Sequence, residues 1–187
     1  SSLSLRRENN FKGFTLVELL VVIGIIAVLA TILLLQLGTA RAKSRDVKRI
    51  ADLNQIRSAV EEYFDDNGSY PPTAVFTGSS NALIPRYLQR VPVDPLAPVQ
   101  CLSYIGWSPA APCYNYVFAP GSNPTRYHLW AELEQLNRNA FNSDADINSL
   151  TNPAFSGHSG GAAVDGTVET CLSTSDIDCL FDLGQSQ

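Results

Sequence analysis

The stretch Lys12-Gly13-Phe14-Thr15-Leu16-Val17-Glu18-Leu19-Leu20 opens a long apolar run that holds one carboxylate, close to its start. From Leu19 to Ala40 no residue is charged, and between Leu19 and Leu35 only Gly24 and Thr31 interrupt a series of Leu, Val, Ile and Ala. As an α-helix, Phe14 to Leu37 would measure roughly 36 Å at about 1.5 Å per residue. That is enough to cross a hydrocarbon core of about 30 Å. Glu18 is costly in such a place unless its charge is neutralised or paired.

Residues 1–13 are polar, carry Arg6, Arg7 and Lys12, and read as the basic leader of an export segment. A secretory signal would have an apolar centre of about 7 to 15 residues followed by a small-residue cleavage site. This run is longer, and no such site precedes Arg41, so the helix is expected to stay attached to the head beyond it. Methionine is absent throughout, position 1 included, which reads as a fragment or a processed product. Residues 39–187 are long enough to bury a modest single core.

The net charge of −5 conceals an asymmetry. Residues 1–57 hold nine Lys and Arg against four acids, whereas residues 58–187 hold four against fourteen. A basic stem carries an acidic head. Phosphate attraction requires clustered positive charge, so nucleic-acid binding by the head is disfavoured. Anionic lipid or a neighbouring subunit suits the stem better.

Cys101, Cys113, Cys171 and Cys179 all lie beyond the apolar run. Neither local spacing is that of a metal-binding pair, and no histidine lies near enough to complete a zinc set. Of the three pairings, the two local ones, Cys101 with Cys113 and Cys171 with Cys179, are favoured, each closing a short loop. They would place the head in an oxidising compartment. Four reduced, buried cysteines are the alternative. The basic flanks point the other way: three basic residues precede the run and five come closely after it, which by the positive-inside rule would leave the head in the cytoplasm.

The segment Lys12-Gly13-Phe14-Thr15-Leu16-Val17-Glu18-Leu19, followed by Val21-Val22-Ile23-Gly24-Ile25-Ile26-Ala27-Val28-Leu29-Ala30, resembles the N-terminus of the type IV pilin and type II secretion pseudopilin superfamily. The resemblance implies that a prepilin peptidase cuts between Gly13 and Phe14 on the cytoplasmic side, that Phe14 becomes N-methylated, and that the head is exported. It thereby resolves the orientation conflict. It also implies a membrane-bound precursor in contact with lipid, an inner-membrane assembly platform, and a homo-oligomeric filament outside the cytoplasm. Phe14 and Glu18 become the assembly residues: a new ammonium on Phe14, from the same or a neighbouring chain, would neutralise Glu18. Without that cut, Glu18 is a first-turn acid favoured by the helix macrodipole.

Past the membrane span the helix is expected to continue. Val47, Ile50, Leu53, Ile56, Val60 and Phe64 recur every three or four residues with charges between them, one core-facing stripe of an amphipathic helix. Gly68 and Tyr70-Pro71-Pro72 stop it near Asn67. The organisation read from the sequence is therefore a leader over 1–13, a transmembrane and filament-core helix over 14–38, and an exported head over 39–187 whose helix runs to about 67. Family members often carry a proline late in the apolar segment. Here the equivalent stretch is Leu33-Leu34-Leu35-Gln36, so no kink is expected there. The resemblance extends through Asp66-Asn67-Gly68-Ser69-Tyr70-Pro71 and Tyr87-Leu88-Gln89-Arg90-Val91-Pro92-Val93-Asp94-Pro95, which look like the helix exit and the loop after it in the major pseudopilin. In all it covers a little over half the chain.

Residues 71–98 read as loop with a short helix near Ile84 to Leu88. Tyr114 to Phe118 and Tyr127 to Leu133 read as strands joined by a hairpin-type connection, with Tyr127, Leu129, Ala131 and Leu133 on one face. From Asn137 to about Gly166 the chain is polar and glycine-rich, a surface loop, and Leu180 to Leu183 is a candidate last strand. The fold class is α+β: a long N-terminal helix against a small antiparallel sheet.

Two motifs suggest chemistry. Gly157-His158-Ser159-Gly160-Gly161 matches the hydrolase Gly-x-Ser-x-Gly pattern, but Pro153 before it and the glycines after it do not make the strand and helix that the motif needs, and His128 would have to serve as base. Asp144-Ala145-Asp146-Ile147-Asn148 alternates oxygen donors like the start of a calcium loop, without the glycine and glutamate of an EF-hand. Because some major pseudopilins bind calcium through C-terminal loop oxygens, the resemblance adds Asp144, Asp146, Asp176 and Asp178 as calcium candidates. No cofactor is required for a structural subunit, and no enzyme activity is expected. The rival readings are a minor pilin for adhesion or DNA uptake, a membrane-anchored binding module, and a tethered hydrolase around Ser159.

Overall fold

The computed structural model describes residues 13–72, 83–96, 114–119, 122–150, 155, 157–158, 164–171 and 179–185. The leader residues 1–12, Cys101, Cys113, Ser159, Asp176 and Asp178 lie outside these. The chain divides into two compact units, Ser1–Arg41 and Ala42–Gln187. Helix α1, Leu16–Asn67, contributes to both.

The start of α1 is written in Thr15-Leu16-Val17-Glu18. Glu18 N–H donates to Thr15 Oγ1 at 3.3 Å, and Thr15 N–H donates to Glu18 Oε2 at 2.9 Å. This reciprocal pair is a capping box that satisfies two otherwise unpartnered helix-end donors. The helix then runs unbroken to Asn67. It ends at Gly68, whose φ of +69° suits a residue without a side chain and whose N–H donates to Phe64 O at 2.7 Å.

Within the Ala42–Gln187 unit, four antiparallel strands form one sheet: β1 Asn115–Ala119, β2 Arg126–Glu132, β3 Gly157–His158 and β4 Leu180–Gln185, in the order β3-β1-β2-β4. β1 and β2 are the expected hairpin, Asn115 facing Trp130 and Ala119 facing Arg126. β4 lies along the other edge of β2, with Leu129 opposite Leu183 and Glu132 opposite Leu180. One helical turn, α2 Arg138–Phe141, comes after β2.

The strand period of two sorts the side chains into two layers. Tyr116, Phe118, Tyr127, Leu129, Ala131, Phe181 and Leu183 face the α1 residues Leu53, Ile56, Ala59 and Val60 in the main core. Their alternates meet a second cover: Val117 and Ala119 pack with Ile147 and Phe155, and Trp130 and Leu180 pack with Val164. The sheet is thus buried on both faces, and the polar stretch after Asn137 is more than a surface loop. Ile147, Phe155 and Val164, each at most 6% exposed, pin it to the outer face.

Two further readings change. Residues 83–87 form a turn, closed by Tyr87 and Leu88 N–H groups that both donate to Leu83 O at 2.9 Å, instead of a short helix. Along α1 the buried stripe is Ala42, Asp46, Arg49, Leu53, Ile56 and Val60, while Val47 is 57% exposed. The three-and-four spacing is as expected, but its upper rows are charged.

Candidate functional site

At the N-terminus, Gly13 and Phe14 precede the cap, Phe14 is 86% exposed, and every large apolar side chain described from Phe14 to Leu37 is between 44% and 86% exposed. None of the described residues of this chain covers them. Glu18 sits at the head of this surface with its carboxylate taken up by Thr15, whose hydroxyl donates to Oε2 at 2.7 Å. α1 is long and apolar enough to cross a membrane.

A second feature lies behind β4. Asp144, Asp146 and Glu169 each bring a carboxylate oxygen to within 4.8 Å of the others. The outward-facing Asp182 of β4 organises the first two: its Oδ1 accepts from Ala145 N–H at 3.2 Å and Asp146 N–H at 3.0 Å, and its Oδ2 from Ile147 N–H at 2.9 Å. These bonds hold Asp146 at a φ of +49°. Gly166 completes the packing, since a Cβ there would lie 2.7 Å from Ile147 O. Glu169 arrives from the other side, paired with Cys179 in an antiparallel bridge next to the Cys171–Cys179 disulfide. Among the described residues, Asp144 Oδ1 and Glu169 Oε1 are buried without a hydrogen-bond partner. Burial, then the charge of Asp182, pushes the Asp144 carboxyl up to about 7; burial and the charges of Asp146 and Asp182 raise that of Glu169. Crowded, desolvated carboxylate oxygens of this kind suit a hard cation.

Known proteins share the first of these two features. Residues 9–34 match the prokaryotic N-terminal methylation motif. The chain is 34% identical over 103 residues to a type II secretion system core protein G of Aeromonas hydrophila, covering 49% of this chain and 72% of the relative. The chain belongs to the type IV pilin and type II secretion pseudopilin superfamily. It is also 42% identical over 85 residues to the type IV wide pilus major component PilA4 of Thermus thermophilus, covering 46% of this chain and 60% of that relative. With the type IV major pilin protein PilE of Neisseria gonorrhoeae it shares 37% over 87 residues, 44% of this chain and 51% of the relative. The chain spans about 60% of the length of the first of these pilin relatives and about half of the second. No solved structure matches.

As in the sequence-derived α+β reading, this pilin-superfamily chain sets the helix under the sheet, and it fixes the two together by a charged hub that the sequence did not announce. Arg49, with a side chain 1% exposed, donates from Nε to Asp94 Oδ2 at 2.6 Å and from Nη1 to Asp46 Oδ1 at 2.7 Å and Glu134 Oε1 at 2.8 Å. Arg45 also pairs with Glu134, and Asp46 accepts the N–H groups of Glu134 and Gln135, both at 2.9 Å. Burial alone would lower the Arg49 pKa, but the hydrogen bonds and charge of Asp94, with Glu134 and Asp46, outweigh it and raise the value. Glu134 is held below its ordinary value, first by the Arg45 hydrogen bond and also by Arg49.

The hydrolase-type inventory meets elsewhere than expected. His128 of β2 places Nδ1 3.0 Å from Ser149 Oγ and Nε2 2.8 Å from Asp182 Oδ2. Nε2 is buried and makes no hydrogen bond among the described residues. All three residues are at most 2% exposed, and the Ser149 hydroxyl donates to Val164 O while accepting from Val164 N–H. The trio ties the outer cover to β2 and β4, and its serine faces no solvent. Of the calcium candidates, Asp144 and Asp146 come together. Glu169, 23 residues further on, completes the set and was legible in the sequence only as one more acid.

Proposed function

We propose that the chain is a structural subunit of a helical filament, processed after Gly13 and assembled through its N-terminal helix. Before assembly it is a single-pass protein of the inner membrane with the head outside the cytoplasm. Prepilin peptidase, an inner-membrane platform and further copies of the same chain are its partners. The observation that carries this reading is the apolar surface from Phe14 to Leu37, uncovered by the described chain itself and headed by one carboxylate beside a Gly-Phe junction. Lipid covers that surface first and neighbouring helices replace the lipid. Packing and a polar contact then set the register of subunits. The segments Asp66 to Pro71 and Pro92 to Pro95, which look like the helix exit and following loop of the major pseudopilin, favour a secretion pseudopilus over a type IV pilus.

Mass spectrometry of the mature N-terminus is expected to find N-methylated Phe14. Glu18→Ala is expected to leave the subunit in the membrane and to abolish filaments seen by electron microscopy. Normal filaments from that variant would sink the assembly role of Glu18.

The acidic cluster supports a calcium site. Asp144, Asp146 and Glu169 offer hard oxygen donors at mutual reach, and two of their buried oxygens have no hydrogen-bond partner among the described residues. Bound calcium would neutralise the cluster and cross-link the 144–146 loop to the segment before Cys171. The full chain in detergent is expected to melt several degrees higher in calcium than in chelator. Equal melting temperatures would remove the site.

A further inference from the structure

We propose that Asn67-Gly68, at the exit of α1, is a deamidation site that the folded exit holds closed and that, once modified, keeps the exit open.

This is the one Asn-Gly pair in the chain. In the reaction the Gly68 backbone nitrogen attacks Asn67 Cγ. An N–Cγ bond forms, the Cγ–Nδ2 bond breaks, and Nδ2 leaves as ammonia, taking the proton that the Gly68 nitrogen gives up. Water then opens the cyclic imide at either carbonyl, leaving aspartate or isoaspartate at position 67. Packing does not close the approach: a Cβ at Gly68 would meet nothing within 4 Å. What closes it is backbone conformation and hydrogen bonding.

Asn67 is the last residue of α1, and a helical backbone directs the next nitrogen toward the carbonyl four residues earlier instead of toward the Asn67 side chain. Gly68 N–H accordingly donates to Phe64 O at 2.7 Å. The leaving group is held as well, since Asn67 Nδ2 donates to Tyr63 O at 2.8 Å and to Tyr87 Oη at 3.2 Å. Tyr87 is itself fixed over the exit. Its hydroxyl donates to Asp66 Oδ2 at 3.0 Å, its ring meets that of Tyr63 edge-on at 5.5 Å, and Arg86 pairs with Asp66 at 2.8 Å. The buried Leu83 and Leu88 anchor this turn in the main core. Attack therefore waits for a local opening of the exit.

Modification removes the means of closing again. A carboxylate at position 67 has no N–H to offer Tyr63 O or Tyr87 Oη, and it is repelled by the carboxylate of Asp66 beside it. Isoaspartate also adds a main-chain carbon ahead of Gly68, which carries its N–H away from Phe64 O. Modified subunits accumulate from those whose exit opens.

The test incubates the full chain in detergent, with and without urea that unfolds the head, and counts aspartate and isoaspartate at position 67 by peptide mapping and mass spectrometry. Deamidation is expected to be at least about tenfold slower in the folded chain. Tyr87→Phe keeps the ring and removes the hydroxyl; where its head melts as a folded unit, it is expected to deamidate about three- to tenfold faster than wild type. Hydrogen exchange at the Gly68 amide is expected to be faster in modified chains than in unmodified ones. Equal rates with and without urea, or no reaction in urea, would overturn the site. A folded Tyr87→Phe chain with the wild-type rate would overturn the part given to Tyr87. Unchanged exchange at Gly68 after modification would overturn the one-way step.

Discussion

From Leu16 to Leu37, helix α1 exposes nearly pure hydrocarbon, whereas from Ala42 to Val60 it buries an arginine and an aspartate among its leucines and isoleucines. One continuous helix thus serves two solvents. The second stretch is read by its own fold: every buried charge has a named partner across the head, and the apolar residues meet the sheet. The first has no counterpart among the described residues, and its length and apolarity are those of a helix able to cross a membrane. Burial tracks the available partner more closely than it tracks residue type.

Three measurements can break or sharpen this contrast. Arg49→Ala should have the largest effect, because it strands Asp46, Asp94 and Glu134 around a desolvated hole; a loss of about 3 to 5 kcal/mol is expected. Denaturant melts monitored by the fluorescence of buried Trp130 would read it, and a loss under about 1 kcal/mol would mean the hub is dispensable. Next, the same truncation in the two stretches should differ sharply. Leu53→Ala, fully buried, should cost the head about 2 to 5 kcal/mol. Leu29→Ala, 55% exposed, should change the head's melt by no more than about 0.5 kcal/mol. Comparable losses would mean that α1 is one cooperative unit.

The smallest effect is one of pH. Glu134 has a folded pKa below its ordinary value of 4.5, so the stability it lends is in place above that pH and is lost as pH falls through the lower, folded value. Glu134→Gln should flatten this part of the acid limb in melts taken below pH 4.5. An unchanged acid limb would assign the pH dependence to other groups.

Much of this architecture was legible because it is local. Gly68 marks the end of α1, and the three strands at Asn115, Arg126 and Leu180 begin within a residue of where aromatic and branched residues cluster. Arg49 was not legible, since a charge on a helix stripe reads as solvated until partners 45 and 85 residues away are brought to it. The outer cover was hidden for a related reason. Ile147, Phe155 and Val164 are spaced without period in a polar stretch, so only the sheet's second face reveals them as one layer. Glu169 joins Asp144 through strand register, and register depends on pairing that no single segment encodes.

The capping box at Thr15 and Glu18 has a further consequence. A carboxylate that already accepts a backbone N–H and a hydroxyl would enter a membrane with part of its solvation replaced in advance. When a free ammonium comes within reach, Glu18 can trade one donor for another and never stand bare in hydrocarbon. If Glu18 has the assembly role proposed above, Thr15 is a placeholder that occupies its carboxylate until an ammonium takes over.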